Sequence, residues 1–579
     1  MTASRLTLVD AGSIPTSVPD DPGVLCVATF DPRLPDPGDQ ERVLYCTQQV
    51  AKVIAENVTL WNRNPLRVVW TNQLIRLEDD ADRVARIAKA HDCKIVVFVC
   101  DTWAFPGRTV MALLAHLPED TTVIFVDGNS GPKPGVVFVG ASNGAISQAG
   151  KMSLCIHGEW PDVGTKPPMT VETKELIVNT MFAAATKAAW KGRRVVFHGG
   201  ASMEMETGDC PKQEIRAQTG LEVKQFDMKL MADWVGREAW NADELLALRA
   251  WFGKHLGDRL GATDADGNLV GDGNEKRFRQ ELGMYLLARD HLAGLNGIGG
   301  GFKSQLEWGS DGTAVPLPVA DAMESLFNSN EDHNGPKTPI PFATESDFEA
   351  LLTMMMEQGL TGGNPVNFMD FRKVYLPHQI KALADSIAGF SYTGTENWCG
   401  GLIDGDNSGS CSFNWAGKPG WSFAECMARV TMPDADPFYF RGKGKSVEFW
   451  TPGGPEFQDV IAARFAFHAP SQRFTLFWDE MDVLQLPREL EIAVASKSTR
   501  TWPHTALRGK IGKLLQAIYY APANHFHAVW GLLPFRVQVF LWLMGFRNMH
   551  ASAWPEIRLP RYAPVPLLRL IDGSLPEAA

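Results

Sequence analysis

From residue 23 onward, short runs with continuous apolar centres alternate with longer segments whose apolar residues recur every three or four positions. GVLCVATF (23–30), LRVVWT (66–71), KIVVFVC (94–100) and TTVIFVDG (121–128) are runs of the first kind. ERVLYCTQQVAKVIAENV (41–58), DDADRVARIAKAHD (79–92) and GRTVMALLAHL (107–117) are of the second. A strand apolar on both faces needs cover on both faces, so the pattern predicts a parallel sheet between helical layers. The helix-period segment 172–192 closes this unit near residue 190. A second unit opens at RRVVFHGG (193–200) and continues through LEVKQFDM (221–228) and two helical segments, 244–256 and 275–295. From about residue 361 strands shorten and turn signals become denser. DPFYFRGKGKSVEFWTPGG (436–454) and RFTLFWDEMDVL (473–484) read as antiparallel strands. The predicted class is α/β: two parallel-sheet α/β domains, 23–190 and 191–360, then a C-terminal domain rich in antiparallel β structure, 361–579. Residues 1–22 carry neither period and read as a flexible lead-in.

The stretch 343–375, ATESDFEALLTMMMEQGLTGGNPVNFMDFRKVY, organises the rest. It predicts a short strand ending at Thr344, a helix, a break at Gly362-Gly363, and a second strand ending at Asp370. Strand ends in α/β folds open onto ligand crevices. Glu345 and Asp370, delivered by adjacent strands, can hold a hard divalent cation or work as an acid/base pair. A helix-capping Glu345 and a salt-bridged Asp370 satisfy the same pattern. Arg33 follows the first strand in Asp31-Pro32-Arg33, and Trp103 follows the third in Asp101-Thr102-Trp103. Each fits a pocket edge as well as ordinary surface. No G-x-G-x-x-G follows a first strand and no G-x-x-x-x-G-K-[ST] occurs, which speaks against dinucleotide or ATP binding. LNGIGGGFKSQLEWG (295–309) reads as a glycine-rich connector carrying Gln305 and Trp308. Met203 reads as core filling. Tyr439 and Trp502 are exposed-aromatic candidates, suited to sugar C–H faces or to a β core. YYAPANHFHAVWG (519–531) offers Asn524, His525 and His527, and with them the nitrogen ligand that the two carboxylates lack.

Composition narrows the class. A chain of 579 residues exceeds one core. A net charge of -12, without a basic run, excludes a nucleic-acid partner. Nine cysteines with no CxxC pair fit free thiols in a reducing cytoplasm. The most apolar stretch, 529–546, is interrupted by Pro534, Arg536 and Gln538, and reads as core rather than a membrane span.

Taken together, GGFKSQ, the stretch from ATESD to MDFRKVY, FYFRGKGKS with its trailing GG, TWPHT and PANHFHAVWG resemble the L-fucose isomerase family, hexameric aldose–ketose isomerases that also act on D-arabinose. The resemblance covers nearly the whole chain beyond the lead-in. It implies a metal site for Mn²⁺, or Mg²⁺, made by Glu345, Asp370 and His525. His525 takes precedence over His527 because the family ligand follows the Asn of its ANH motif. It implies that Glu345 and Asp370 move protons through an ene-diol intermediate, and that Arg33, Trp103, Met203, Gln305, Tyr439, Trp502 and Asn524 surround the sugar. It also implies a homohexamer in which a neighbour's first domain contributes to each site. The sequence departs from the family in three ways. VATFDPR lacks the earlier Arg of typical members, one extra residue separates the two carboxylates, and the C-terminal tail diverges. Lys303, Lys443 and Lys445 in glycine loops leave an anionic or modified aldose as an alternative substrate. An inert sugar-binding relative and an NAD-dependent oxidoreductase are alternatives of another class.

Overall fold

The computed structural model describes residues 6–8, 21–34, 36–128, 135–161, 164–200, 202, 205–209, 211–303, 317–407, 409, 411–499 and 501–555. The apolar runs of the first unit form a six-stranded, all-parallel sheet. Its order is Leu6–Leu8, Arg67–Trp70, Gly23–Ala28, Cys93–Cys100, Thr122–Gly128, Ser153–Gly158. All six positions of Gly23–Ala28 are buried, as a doubly covered strand requires. The edge strand Leu6–Leu8 falls inside the stretch read as a lead-in. Apart from that edge, the strands run in the order 2-1-3-4-5, which places the topological switch point between Gly23–Ala28 and Cys93–Cys100. Arg33 and Trp103 follow those two strands.

The second unit is a four-stranded parallel sheet ordered Phe342–Ala343, Gly297–Phe302, Arg194–His198, Glu222–Phe226. The glycine run predicted as a connector is thus an inner strand. The reason is steric: a Cβ at Gly300 would lie 2.3 Å from the Val196 carbonyl oxygen, and one at Gly301 2.5 Å from that of Ala343. Glycine lets three backbones approach at distances no other residue allows.

The C-terminal region is more than a collection of antiparallel strands. Asn367–Tyr375, Leu402–Asp406, Pro503–Gly509, Arg473–Val483, Val460–His468 and His525–Val529 pair in that order, each antiparallel to the next. His525–Val529 then pairs back with Asn367–Tyr375 and closes a six-stranded barrel. Two short strands, Phe449–Trp450 and Arg547–His550, add in parallel outside the ring. Much of 436–454 is not strand: Pro437 and the glycines 442 and 444 break the ladder, and Asp436 holds a turn through Phe438 N at 2.8 Å.

Helix Phe348–Leu360 lies where the three regions meet. All 13 of its residues are buried, including Glu349 and Glu357, as expected of a helix covered on every side. It packs on helix Val171–Trp190, strand Val460–His468 and strand His525–Val529. The main core therefore runs without interruption from Val24 and Val97 through Leu351 and Met355 to Ile461 and Trp478. Among the described residues, no helix is long and apolar enough to cross a membrane.

Candidate active site

Glu345 is set by an unusual turn. The strand Phe342–Ala343 ends, a single 3-10 turn Thr344–Ser346 follows, and Glu345 and Ser346 both take left-handed backbone, φ 60° and 52°. Such angles cost a non-glycine residue of order 1–3 kcal/mol and persist where the surroundings enforce them. Here the Ser346 hydroxyl donates to the His198 carbonyl at 3.3 Å, and Asp347 caps the next helix by accepting from Ala350 N at 2.9 Å.

Asp370 arrives differently. It is the fourth residue of the nine-residue strand Asn367–Tyr375 rather than the end of one, because the alternating run FMDFRKVY continues the ladder past it. The two carboxylates thus come from different sheets, not from adjacent strands of one. Register places Asp370 opposite His525 on one side and opposite Asp406 on the other. Directly opposed residues project from the same face, so Asp370 and His525 are neighbours by construction.

The three predicted ligands converge. His525 Nε2 lies 3.2 Å from Glu345 Oε2 and 3.5 Å from Asp370 Oδ1. The other ring nitrogen, Nδ1, is 2.7 Å from Asp347 Oδ2. Asp347 in turn accepts from Arg464 Nη1 at 2.8 Å and Nη2 at 3.1 Å, and Arg464 reaches Glu349 Oε2 at 3.4 Å. His525, Asp347 and Arg464 are buried. A carboxylate on Nδ1 fixes a metal-binding histidine with its lone pair on Nε2, the nitrogen that faces Glu345 and Asp370. Burial works against a charged imidazole, yet Asp370, Asp347 and Glu345 outweigh it and raise His525 to about 10. Burial alone would raise Asp347 too, but Arg464 and His525 hold it well below the carboxylate range. Burial lifts Asp370, with His525 opposing and Glu345 reinforcing. Three carboxylates around one imidazole make a place that holds positive charge. Among the described residues Glu345 Oε2 is buried without an aligned hydrogen bond, an acceptor at the same spot. Two carboxylate oxygens and one imidazole nitrogen suit a hard divalent ion such as Mn²⁺ or Mg²⁺.

The remaining predicted residues divide into three groups. Asn524 touches the triad, and Trp502 and Tyr439 lie further out: Asn524 Nδ2 donates to Asp370 Oδ1 at 3.1 Å, Arg372, which faces Asp370, covers Trp502, and the Trp502 ring packs 5.2 Å from that of Tyr439. Trp502 is buried rather than exposed, covered by Tyr439, Phe440 and the Arg372 guanidinium. Arg33 and Trp103 stand at the switch point of the first sheet. Arg33 forks onto Asp31 at 2.7 and 2.9 Å and covers Phe105, and Trp103 packs on Phe105 and Phe138. Among the described residues no hydrogen bond, ion pair or ring contact joins either to the triad within one chain. Met203 and Gln305, with Trp308, lie outside the described residues. Lys443 and Lys445 pair with Asp272 and Asp434 at 2.6 and 2.7 Å. His527, two residues beyond His525, packs on the same Phe368 ring but makes no hydrogen bond through either nitrogen among the described residues.

Sequence reasoning missed Asp347, Arg464 and Arg372, and a second buried cluster, Asp404, Asp406 and His504, whose ligand atoms lie within 4.8 Å of one another. Asp347 is the N-cap of helix Phe348–Leu360. Its partner His525 lies 178 positions away, beyond any local signal. His504 Nδ1 is 3.0 Å from Asp404 Oδ1, and its Nε2 is 2.9 Å from the Thr499 carbonyl. Burial opposes its charge, but Asp404 and Asp406 prevail and raise it to about 9.

The family model described as L-fucose isomerase, first N-terminal domain, matches residues 23–192, and that of the second N-terminal domain matches 195–362. Together they cover more than half of the 579 residues. An L-fucose isomerase of Vibrio vulnificus strain YJ016 is 24% identical over 498 residues, 80% of this chain and 81% of the relative. An L-fucose isomerase of Escherichia coli is 25% identical over 410 residues, 65% of this chain and 66% of the relative, just under two thirds of its length. On the two matched models, this chain belongs to the L-fucose isomerase family.

Proposed function

We propose that the protein is a metal-dependent aldose–ketose isomerase acting on L-fucose- or D-arabinose-like sugars. The observation that carries this reading is the meeting of Glu345 and Asp370 at Nε2 of His525, with Nδ1 tied to Asp347. Glu345, Asp370 and His525 would hold Mn²⁺ or Mg²⁺, which supplies Lewis-acid stabilisation of negative charge on the first two oxygens of an open-chain sugar.

The chain's own groups account for the proton movements. One of Glu345 and Asp370 takes the proton from C2, whose C–H electrons form the C1–C2 double bond of an ene-diol as O1 gains a proton. The other carboxyl then delivers a proton to C1 while O2–H is lost and the C2 carbonyl forms. Atoms and electrons balance without an external redox partner. Asn524 fixes Asp370, Asp347 fixes His525, and Trp502 and Tyr439 form a wall suited to the sugar's apolar face. Arg33 and Trp103, at the ligand-binding edge of the first sheet, would complete a neighbouring subunit's site in a homohexamer. Met203 and Gln305 retain their proposed substrate roles from the family pattern. Lys443 and Lys445 are paired to carboxylates, which favours a neutral aldose at those two positions and leaves Lys303 as the lysine on which the anionic alternative rests. The eight described cysteines are all free thiols, in keeping with a cytoplasmic enzyme.

Aldose–ketose conversion of L-fucose and D-arabinose by the full chain tests the reading. Chelation is expected to abolish turnover and Mn²⁺ to restore it. Glu345→Gln is expected to lower kcat at least about 1,000-fold with the fold intact, a loss typical of removing a proton-transferring metal ligand. Turnover near that of the parent in this variant overturns the proposal.

A further inference from the structure

Behind Asp370 the barrel carries a second line of charge. The ladder between Asn367–Tyr375 and Leu402–Asp406 slips between Phe371 and Lys373, so Arg372 is an extra, unpaired residue in a bulge. Bulges re-aim side chains. This one sends the guanidinium between two carboxylates: Nη1 is 3.6 Å from Asp370 Oδ2 and Nε is 3.4 Å from Asp406 Oδ1. Its Cζ lies 4.5 Å from the centre of the Trp502 ring. A guanidinium held between an aromatic face and two carboxylates has little freedom, and lysine cannot reproduce that geometry.

Asp406 is itself immobilised. It is fully buried, accepts from Ser498 Oγ at 2.6 Å, and lies 3.6 Å from His504 Nδ1. His504 is held by Asp404, by the Thr499 carbonyl, and by stacking on Trp450 at 4.8 Å. Register supports the row: His525, Asp370, Asp406 and His504 stand opposite one another across four consecutive strands. Three carboxylates, Asp370, Asp404 and Asp406, face two cations, Arg372 and His504. The buried Asp404–Asp406–His504 group has one carboxylate more than it has cations, and Arg372, shared between Asp406 and Asp370, is the second cation of the row.

We propose that Arg372 is a positioning residue for Asp370, anchored from behind by Asp406 and the Asp404–His504 pair. The inference rests on the reading of Asp370 as a cation ligand and proton-transfer group. With Oδ2 facing the guanidinium, Oδ1 is the oxygen turned to Asn524 and His525 and kept for the reaction.

The test measures kcat and KM for L-fucose together with Mn²⁺ affinity of the full chain, read from the free-ion electron paramagnetic resonance signal. Arg372→Gln is expected to lower kcat about 10- to 100-fold, the scale of a ligand misplaced by about an ångström, and to weaken Mn²⁺ binding about tenfold, with KM nearly constant. Arg372→Lys recovers only part of the loss. Asp406→Asn shifts both readouts the same way by a smaller factor, and adding it to Arg372→Gln costs nothing further, because Asp406 acts through Arg372. If Asp406→Asn does not fold, Ser498→Ala loosens the same anchor more gently. Unchanged kcat and Mn²⁺ affinity in Arg372→Gln, with a parent that binds and isomerises, overturns the positioning role and leaves the isomerase reading standing. Additive losses in the double variant overturn the anchoring role. A second equivalent of Mn²⁺ that disappears in Asp406→Asn overturns Arg372 as the second cation of the row and makes the cluster a cation site. A parent that neither binds Mn²⁺ nor isomerises defeats the isomerase reading itself.

Discussion

Glu345 reaches His525 from a three-residue turn with two left-handed residues, whereas Asp370 reaches it from the middle of a closed barrel. The barrel strand is held by ladders on both sides, so its carboxylate follows from register alone. The turn has no ladder beyond Ala343, and the Ser346 contact, the Asp347 cap and the buried helix behind it keep it in place. One half of the site is specified by repetition and the other by a few individual contacts. Substitution in the turn is therefore expected to damage the site through few side chains, and substitution in the barrel to be better tolerated.

The largest effect should come from Asp347, where the cap, the His525 partner and the Arg464 counter-charge coincide. Asp347→Ala removes the two shorter contacts of the buried Arg464 guanidinium, leaves it the longer one to Glu349, and frees the imidazole. The expected cost is about 3–5 kcal/mol in stability. Metal affinity should fall by about 10- to 100-fold, as for loss of a histidine's orienting partner. Urea unfolding and Mn²⁺ titration measure the two. A variant with full stability would show that the turn is held by something else.

Backbone comparison gives the next effect. Ser346→Val forces a β-branched side chain into left-handed φ and removes the bond to the His198 carbonyl, which should destabilise by about 2 kcal/mol or more. The matched change in the barrel, Lys373→Val, places a strand-favouring residue in extended backbone and should stay within about 0.5 kcal/mol. Thermal unfolding of the pair checks the contrast, and equal shifts would remove it.

Gly300→Ala ranks below the Ser346 change and above the Lys373 one. Its Cβ meets backbone, not a flexible side-chain end, so neighbouring strands must separate, at about 1–3 kcal/mol. Equilibrium unfolding reads it. The same residue shows where the sequence was legible and where not. The strands of the first unit and the helices around them follow from their periods, because each is covered on predictable faces. GIGGGF has no side-chain pattern to read, since what makes it a strand is the closeness of Val196 and Ala343. The motifs and the resemblance singled out Glu345, Asp370 and His525, whose closeness at one imidazole nitrogen no local pattern carries. Asp347 and Arg464 were not singled out, since each is an ordinary cap or strand charge until residues more than a hundred positions away arrive. Barrel closure was hidden for the same reason: it depends on three residue pairs between Arg473–Val483 and Pro503–Gly509.

Two buried histidines carry the comparison into pH. His198, in the second parallel sheet, meets His291 through Nε2 at 3.1 Å with no carboxylate partner among the described residues, and burial pushes it down to about 3. His504, in the barrel, lies between Asp404 and Asp406, which overcome burial and raise it to about 9. The signs are opposite. Between pH 3 and 6.5 the unfolded chain protonates at His198 and the folded chain does not, so stability falls as pH drops through that window. Between pH 6.5 and 9 the folded chain keeps a proton on His504 that the unfolded chain releases, so this contribution, complete below 6.5, is lost as pH rises. Each slope is at most about 1.4 kcal/mol per pH unit. His198→Phe should flatten the acid limb of a Tm–pH profile and leave the alkaline limb alone. His504→Gln should do the reverse, at a cost in stability at neutral pH because Asp404 loses its partner. If both variants changed the same limb, the two histidines would not differ as their surroundings require.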